Sequence, residues 1–289
     1  MKPITKHSLI FTIIVIIFLS SFSMSVSSNE YNTSDIEDLE FKQELYISID
    51  TSFNEAKFQP IDIRVDFNNP CWAKNDIVNS VHVYYDDGLE LNEIESQIYD
   101  LKYIDVTHIK SCNLVFLIPK DANGKEKYYV YYDSSQTRPQ EYIDHITLED
   151  THFFYEPIPG QKIDFDYYQI KEDGFIIYSI IQKGELLGNP VAHAIAKFKL
   201  GSTEVETDKI DQLGIFDMRY GIKDYPWYYG SSWAEKVNKN ILVDGNLMVR
   251  MRIECISPSG DIKTDNIYTY YYCPSETKKI VVNTNHEVI

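Results

Sequence analysis

Short apolar runs separated by turn residues fill the chain from residue 44 onwards. In the runs IDIRVDF and VHVYY, apolar and polar residues alternate, which predicts strands with one buried face. Several runs end in Asn-Pro, Asp-Gly or Asn-Gly, and these residues favour the turns that connect strands. The pattern therefore predicts an all-β protein.

The runs fall into two regions, at 44–133 and 146–289, with a connector at 134–145. The first region holds five to seven short runs, the size of an immunoglobulin-like sandwich. Its segment ELNEIESQIYDLKYIDV fits either a helical turn or a strand. The second region has longer runs, which predict a larger antiparallel β-sandwich. There, MVRMRIEC and IKTDNIYTYYYC, joined by SPSGD, predict the clearest hairpin.

The first 28 residues differ from the rest of the chain. They have a basic start, an apolar run at 9–19 and a Ser-rich end, which is the layout of a secretory signal. Cleavage after Ser27 and retention as an N-terminal membrane anchor both stay open. Residues 29–43 are polar and acidic and predict a linker. Either outcome predicts a secreted or surface-anchored protein that meets the membrane only through its N-terminal segment.

The formal net charge of -17 narrows the choice of partners. Affinity for nucleic acid comes mainly from Lys and Arg side chains that neutralise phosphates, so this composition excludes nucleic acid as a partner. An acidic surface also keeps exported proteins soluble, and that explanation accounts for the charge without any ligand.

Four cysteines suit an oxidising compartment. We expect Cys71 to pair with Cys112 and Cys255 with Cys273, because each pair lies within one predicted region. Other connectivities and free buried thiols stay open. No CxxC motif is present, which disfavours zinc and redox chemistry.

No motif in the sequence predicts a metal, a cofactor or a catalytic residue. The closest histidines, His145 and His152, are seven residues apart, a spacing that gives metal ligands no shared face on a strand. The segment DANGKE at 121–126 resembles half of a calcium loop, but a hairpin turn at Asn123-Gly124 explains it. GxSxG and Gly-rich phosphate motifs are absent.

The most unusual segment, KDYPWYYGSSW at 223–233, concentrates aromatic residues around Pro226 and Gly230. Exposed aromatic rings stack on the C–H faces of sugars, so we predict a ligand-binding surface. Its candidate residues are Tyr225, Trp227, Tyr228, Tyr229 and Trp233. The alternative is that these rings close the end of a sandwich.

Two resemblances point to a class of protein. The runs FQPIDIRVDFNNP, SQIYDL, NLVFLIP and KEKYYVYYD resemble immunoglobulin-like sandwich modules of exported microbial multidomain proteins. The long runs of the second half resemble galactose-mutarotase-like sandwiches attached to polysaccharide-degrading enzymes. They imply a module of an extracellular protein. Together with the aromatic segment at 223–233, they favour a binding or accessory module whose partner is a glycan or a cell-surface component. A carbohydrate-active lyase or hydrolase and a structural adhesion protein are the alternatives.

Overall fold

The computed structural model describes residues 39–136, 140–186, 189–197, 220–221, 228–229, 236–256, 262–275 and 278–289. These residues form antiparallel strands and one 3-10 turn, Asn54–Ala56. The predicted all-β fold is confirmed. The predicted signal lies outside the described residues, and within them no helix is long and apolar enough to cross a membrane.

Among the described residues, seven strands precede residue 134 and ten follow it. The first seven are β1 (Phe41–Leu45), β2 (Pro60–Trp72), β3 (His82–Asp86), β4 (Leu91–Ile94), β5 (Ser96–Tyr103), β6 (His108–Leu117) and β7 (Lys127–Tyr132). The next five are β8 (Ile146–Ile158), β9 (Gln161–Glu172), β10 (Phe175–Leu186), β11 (Asn189–Lys197) and β12 (Tyr220–Gly221). The last five are β13 (Tyr228–Tyr229), β14 (Lys236–Asp244), β15 (Met248–Ile256), β16 (Ile262–Tyr271) and β17 (Ile280–Val288).

The first seven strands form two sheets, ordered β1-β7-β3-β4 and β2-β6-β5. Alternate residues of both sheets, among them Val65, Val83, Leu114 and Val130, are buried in one shared core. A four-stranded and a three-stranded sheet around one core make this half sandwich-like. The ambiguous segment after residue 90 forms β4 and β5, so strands replace the helical alternative.

Strand β6 is buried on both faces, which explains why NLVFLI is a continuous apolar run. Leu114 and Phe116 enter the first core. Val115 points to the other face and contacts a small cluster with Tyr99, Leu247 and Met248. The start of β15 therefore covers the outer face of the three-stranded sheet.

The later strands form two four-stranded sheets, β11-β10-β9-β8 and β14-β15-β16-β17, and the pair β12-β13. The two larger sheets share a second core that includes Ile170, Met251 and Tyr268. The predicted hairpin is confirmed, since β15 pairs with β16 from Met248↔Tyr271 to Ile256↔Lys263. The described residues belong to one compact unit, and the division into two domains stays a prediction.

Candidate functional site

The aromatic segment at 223–233 lies largely outside the described residues. Tyr228 and Tyr229 form β13, which pairs with Gly221 and Tyr220 of β12. Tyr225, Trp227 and Trp233 lie outside the described residues, and no side chain of the segment is described. Its role in binding ligand stays a prediction.

The described cysteines are free thiols. Cys71 and Cys112 lie in the same core on the neighbouring strands β2 and β6, and the structure contains no disulfide between them. Burial raises the pKa of Cys71 to about 12 and raises the pKa of Cys112 as well, so both thiols are poor nucleophiles. Cys273 is partly exposed, and the side chain of Cys255 lies outside the described residues.

The predicted hairpin turn at Asn123-Gly124 is wrong, because the DANGKE segment connects β6 to β7, and these two strands belong to different sheets. Gly124 has a φ of 84°, and the carboxylate of Glu126 accepts the backbone N–H groups of Asn123, Gly124 and Lys125. Although burial opposes ionisation, these bonds and the Thr51 hydroxyl lower the pKa of Glu126 to about 2. The Glu126 carboxylate therefore holds the loop between the two sheets in its conformation.

A pocket of about 380 Å³ lies where the sandwich-like halves meet, and we call it the amide pocket. Its walls come from the start of β5, the segment 140–144, the turn at 244–246 between β14 and β15, and the loop at 76–77. Gln97, Gln140 and Asn246 are three amide residues among those that line it. A volume of this order suits a small ligand or a few sugar rings.

The three amides differ in their hydrogen bonds. Both amide atoms of Gln97 form hydrogen bonds. Its Nε2 donates to the carbonyl of Met248 at 3.1 Å. Its Oε1 accepts the N–H groups of Leu247 at 2.9 Å and Met248 at 2.8 Å. In contrast, Gln140 Nε2 and Asn246 Nδ2 are buried atoms with no hydrogen-bond partner. Buried donors of this kind normally bond water or a ligand.

Carboxylates line the same pocket beside the free amide donors. Asp76, Asp144 and Asp244 contribute to its lining. Desolvation and the neighbouring charge of Asp144 raise the pKa of Asp244. Among the described residues, no three His, Cys, Asp or Glu side chains are grouped as metal ligands. Carboxylate acceptors and amide donors together can bond neutral hydroxyl groups, which both donate and accept.

Tyr142, Ile77 and Ile98 are the aromatic and aliphatic residues that line the amide pocket. Tyr142 lines it and donates its hydroxyl to Glu93 Oε1 at 2.7 Å, and burial raises the pKa of Tyr142. Ile77 lies in the lining and is 73% exposed. Since the hydroxyl of Tyr142 is already bonded, its ring is held in one position and offers apolar area to a ligand.

His145 lies beside the pocket and contacts residues of both halves. Its Nε2 lies 2.8 Å from Glu95 Oε2, and its ring stacks on Tyr272 with centroids 4.0 Å apart. Its backbone N–H donates to the carbonyl of Asn246 at 3.2 Å. Burial lowers the pKa of His145, but the carboxylates of Glu95 and Asp173 outweigh it and raise the pKa overall. The side chain of His145 therefore contacts Glu95 and Tyr272, while its backbone bonds the turn that holds Asn246.

A second polar cluster joins the halves, and we call it the interface network. It comprises Asp62 of β2, Tyr99 of β5, Arg250 of β15 and Tyr271 of β16. Asp62 accepts the hydroxyls of Tyr99 at 2.8 Å and Tyr271 at 2.7 Å. Arg250 Nη2 lies 3.2 Å from Asp62 Oδ2, and Nη1 donates to the Tyr99 hydroxyl at 3.1 Å. Every member is paired, which indicates a structural role.

Sequence reasoning missed the amide pocket. Gln140, Tyr142 and Asp144 lie in the predicted connector at 134–145, and Asp244-Gly245 is one of the Asp-Gly pairs that favour a turn. The available signal was the mixture of amide, aromatic and acidic residues in QEYID, which a simple connector does not need. No family model, curated protein or solved structure matches the chain. The chemistry of the pocket therefore carries the functional argument.

Proposed function

We propose that this protein is an exported or surface-anchored module that binds a glycan in the amide pocket. The observation that carries the proposal is the pair of buried amide nitrogens without partners, Gln140 Nε2 and Asn246 Nδ2. They lie beside carboxylates that accept hydroxyl protons. Export rests on the N-terminal signal pattern, and the immunoglobulin-like and mutarotase-like identities of the two halves belong to the same proposal.

The hydrogen-bonding groups suit a sugar better than an ion or an apolar ligand. Each sugar hydroxyl donates one bond and accepts others, so it pairs with a carboxylate and an amide N–H at once. Tyr142 and Ile77 supply apolar area for the C–H face of a ring. An apolar ligand would leave both amide nitrogens unbonded, at a cost of about 1 to 3 kcal/mol each.

A glycan array followed by titration calorimetry tests the proposal. We expect the purified protein to bind a defined group of glycans, and Asn246→Ala and Gln140→Ala each to weaken the strongest one about tenfold, since one hydrogen bond is lost. The matched controls are Asn240→Ala and Gln136→Ala, whose side chains are exposed and outside the pocket. An array without binding would contradict the proposal and favour a structural adhesion protein.

The aromatic segment at 223–233 is a second proposed glycan contact. If Trp227 or Trp233 stacks on a sugar, its replacement by Ala should cost about 1 to 3 kcal/mol of binding free energy and leave the fold intact. If the rings close the sandwich, the same changes should cost about 3 to 5 kcal/mol of stability. Melting curves and glycan titrations of both variants separate the two roles.

One observation favours a carbohydrate-active enzyme as the second candidate function. Desolvation raises the pKa of Asp244 beside the carboxylate of Asp144, and glycoside hydrolysis uses an acid with a raised pKa next to a second carboxyl group. Release of reducing or unsaturated sugar from a bound glycan would support an enzyme. Loss of that release in Asp244→Asn with binding retained would assign the acid role to Asp244.

A further inference from the structure

A larger groove of about 610 Å³ lies elsewhere on the same unit, and we call it the lysine groove. It is formed by the 3-10 turn with residues 57–60, by Lys120 in the loop after β6, and by residues 271–273, 275, 279 and 281 at the end of β16 and the start of β17. The side chains that matter here are Lys57, Phe58, Lys120, Tyr271, Tyr272 and Lys279.

The charge of the groove is opposite to that of the protein. Three lysines line it, and Glu55 is the carboxylate among its lining residues, whereas the whole chain carries -17. Lys57 donates to the carbonyl of Thr51 at 2.9 Å. Lys120 and Lys279 form no ion pair with any residue in the described part of the chain. A local excess of ammonium groups on an acidic surface attracts an anion.

The floor of the groove is apolar and held in place. The hydroxyl of Tyr271 donates to Asp62 in the interface network. The ring of Tyr272 stacks on His145 at an angle of 8°. Since neighbours fix both rings, a flat or ring-shaped ligand can pack there without ordering them first.

Phe58 has a strained backbone at the edge of the groove. Its φ is 60°, in the left-handed region, whereas the other described non-glycine residues with positive φ are Asp100 and Asp173. Aspartate tolerates this conformation far better than phenylalanine does. A hydrogen bond of 2.9 Å from the Phe58 N–H to the carbonyl of Ile118 holds the conformation. Strain of this kind concentrates at ligand sites.

We infer that the lysine groove binds a carboxylate attached to a ring, and that in the natural ligand this is the uronate residue of an acidic glycan. The ammonium groups of Lys120 and Lys279 pair with the carboxylate, while Phe58, Tyr271 and Tyr272 contact the ring. The sugar identity rests on the proposed function, whereas the preference for a ring carboxylate rests on the groove alone.

Titration calorimetry with three probes tests the inference. The probes are a tri-galacturonate, its fully methyl-esterified form, and cyclohexanecarboxylate as a carboxylate that is not a sugar. We expect the tri-galacturonate to bind about tenfold more tightly than its ester, because only the free acid forms charge-assisted bonds. The difference should shrink when the salt concentration rises from about 0.05 to 0.5 M, as expected for exposed charges.

The variant Lys120→Gln/Lys279→Gln should remove the preference for the free acid and leave ester binding unchanged. Its charge-matched control, Lys110→Gln/Lys125→Gln, replaces two exposed lysines that do not line the groove and should keep the preference. Equal binding of acid and ester, or an unchanged preference in the groove variant, would overturn the inference.

The third probe separates failure of this inference from failure of the proposed function. If cyclohexanecarboxylate binds in a lysine-dependent way and no glycan binds, the groove recognises a ring carboxylate and the glycan proposal is wrong. If neutral glycans bind through Asn246 and neither carboxylate is preferred, the proposed function stands and the inference about the groove is wrong.

Discussion

The interface network and the amide pocket are both built from polar side chains of the two sandwich-like halves, but their hydrogen bonds differ. In the network, Asp62, Tyr99, Arg250 and Tyr271 bond one another. In the pocket, two amide nitrogens are buried without partners. A paired polar cluster stabilises the fold, whereas unpaired donors cost stability and suit a ligand. The difference separates structural residues from binding residues.

The largest expected effect is at Arg250. Replacing it by Ala leaves the Asp62 carboxylate beside two tyrosines without a cation, and loss of one partner costs about 3 to 5 kcal/mol in a fully buried pair. The side chains of Arg250 and Asp62 are 22% and 21% exposed, so we expect about 2 kcal/mol. Urea unfolding measures this loss.

The control for Arg250 is Lys102→Ala. Lys102 and its partner Asp100 have side chains that are 47% and 48% exposed, so losing this pair should change stability by less than about 0.5 kcal/mol. Equal losses in the two variants would show that the interface network does not hold the halves together.

A second prediction compares two glutamines of the same pocket. Gln97→Ala removes the partners of two buried N–H groups and one carbonyl, which should cost about 2 kcal/mol of stability. Gln140→Ala removes a nitrogen that has no partner, so stability should change by less than about 0.5 kcal/mol. A large loss of stability in Gln140→Ala would mean that its amide has a structural role.

The sequence predicts the strands better than it predicts which polar side chains are paired and which are not. The hairpin of β15 and β16 was predictable because its alternation is local. Gln97, Gln140 and Asn246 lie far apart in sequence, and only the folded chain decides which amide finds backbone partners. The left-handed backbone conformation of Phe58 was equally unpredictable, because nothing in the neighbouring sequence indicates a positive φ at a phenylalanine.

The third and smallest expected effect is a pH dependence from His145. Its carboxylate neighbours Glu95 and Asp173 raise its pKa above 6.5 in the folded state, against the opposing effect of burial. The contribution of His145 to the free energy of unfolding is therefore complete below pH 6.5. It declines as the pH rises above that value and is absent once the pH exceeds the raised pKa.

His145→Asn is the variant that isolates this effect, because the other six histidines of the chain are the same in both proteins. We expect the free energy of unfolding of the parent to fall relative to the variant as the pH rises above 6.5. A constant difference between the two proteins across this range would show that His145 does not gain a proton on folding.

The most direct test of the central claim is the NMR signal of the side-chain amide groups during titration with the glycan that binds most strongly. The NH₂ signals of Gln140 and Asn246 should shift in proportion to occupancy, because these donors gain an acceptor. The Gln97 NH₂ signal should move far less, since its nitrogen is already bonded to the Met248 carbonyl. Saturating binding that leaves the Gln140 and Asn246 signals unchanged would contradict glycan binding in the amide pocket.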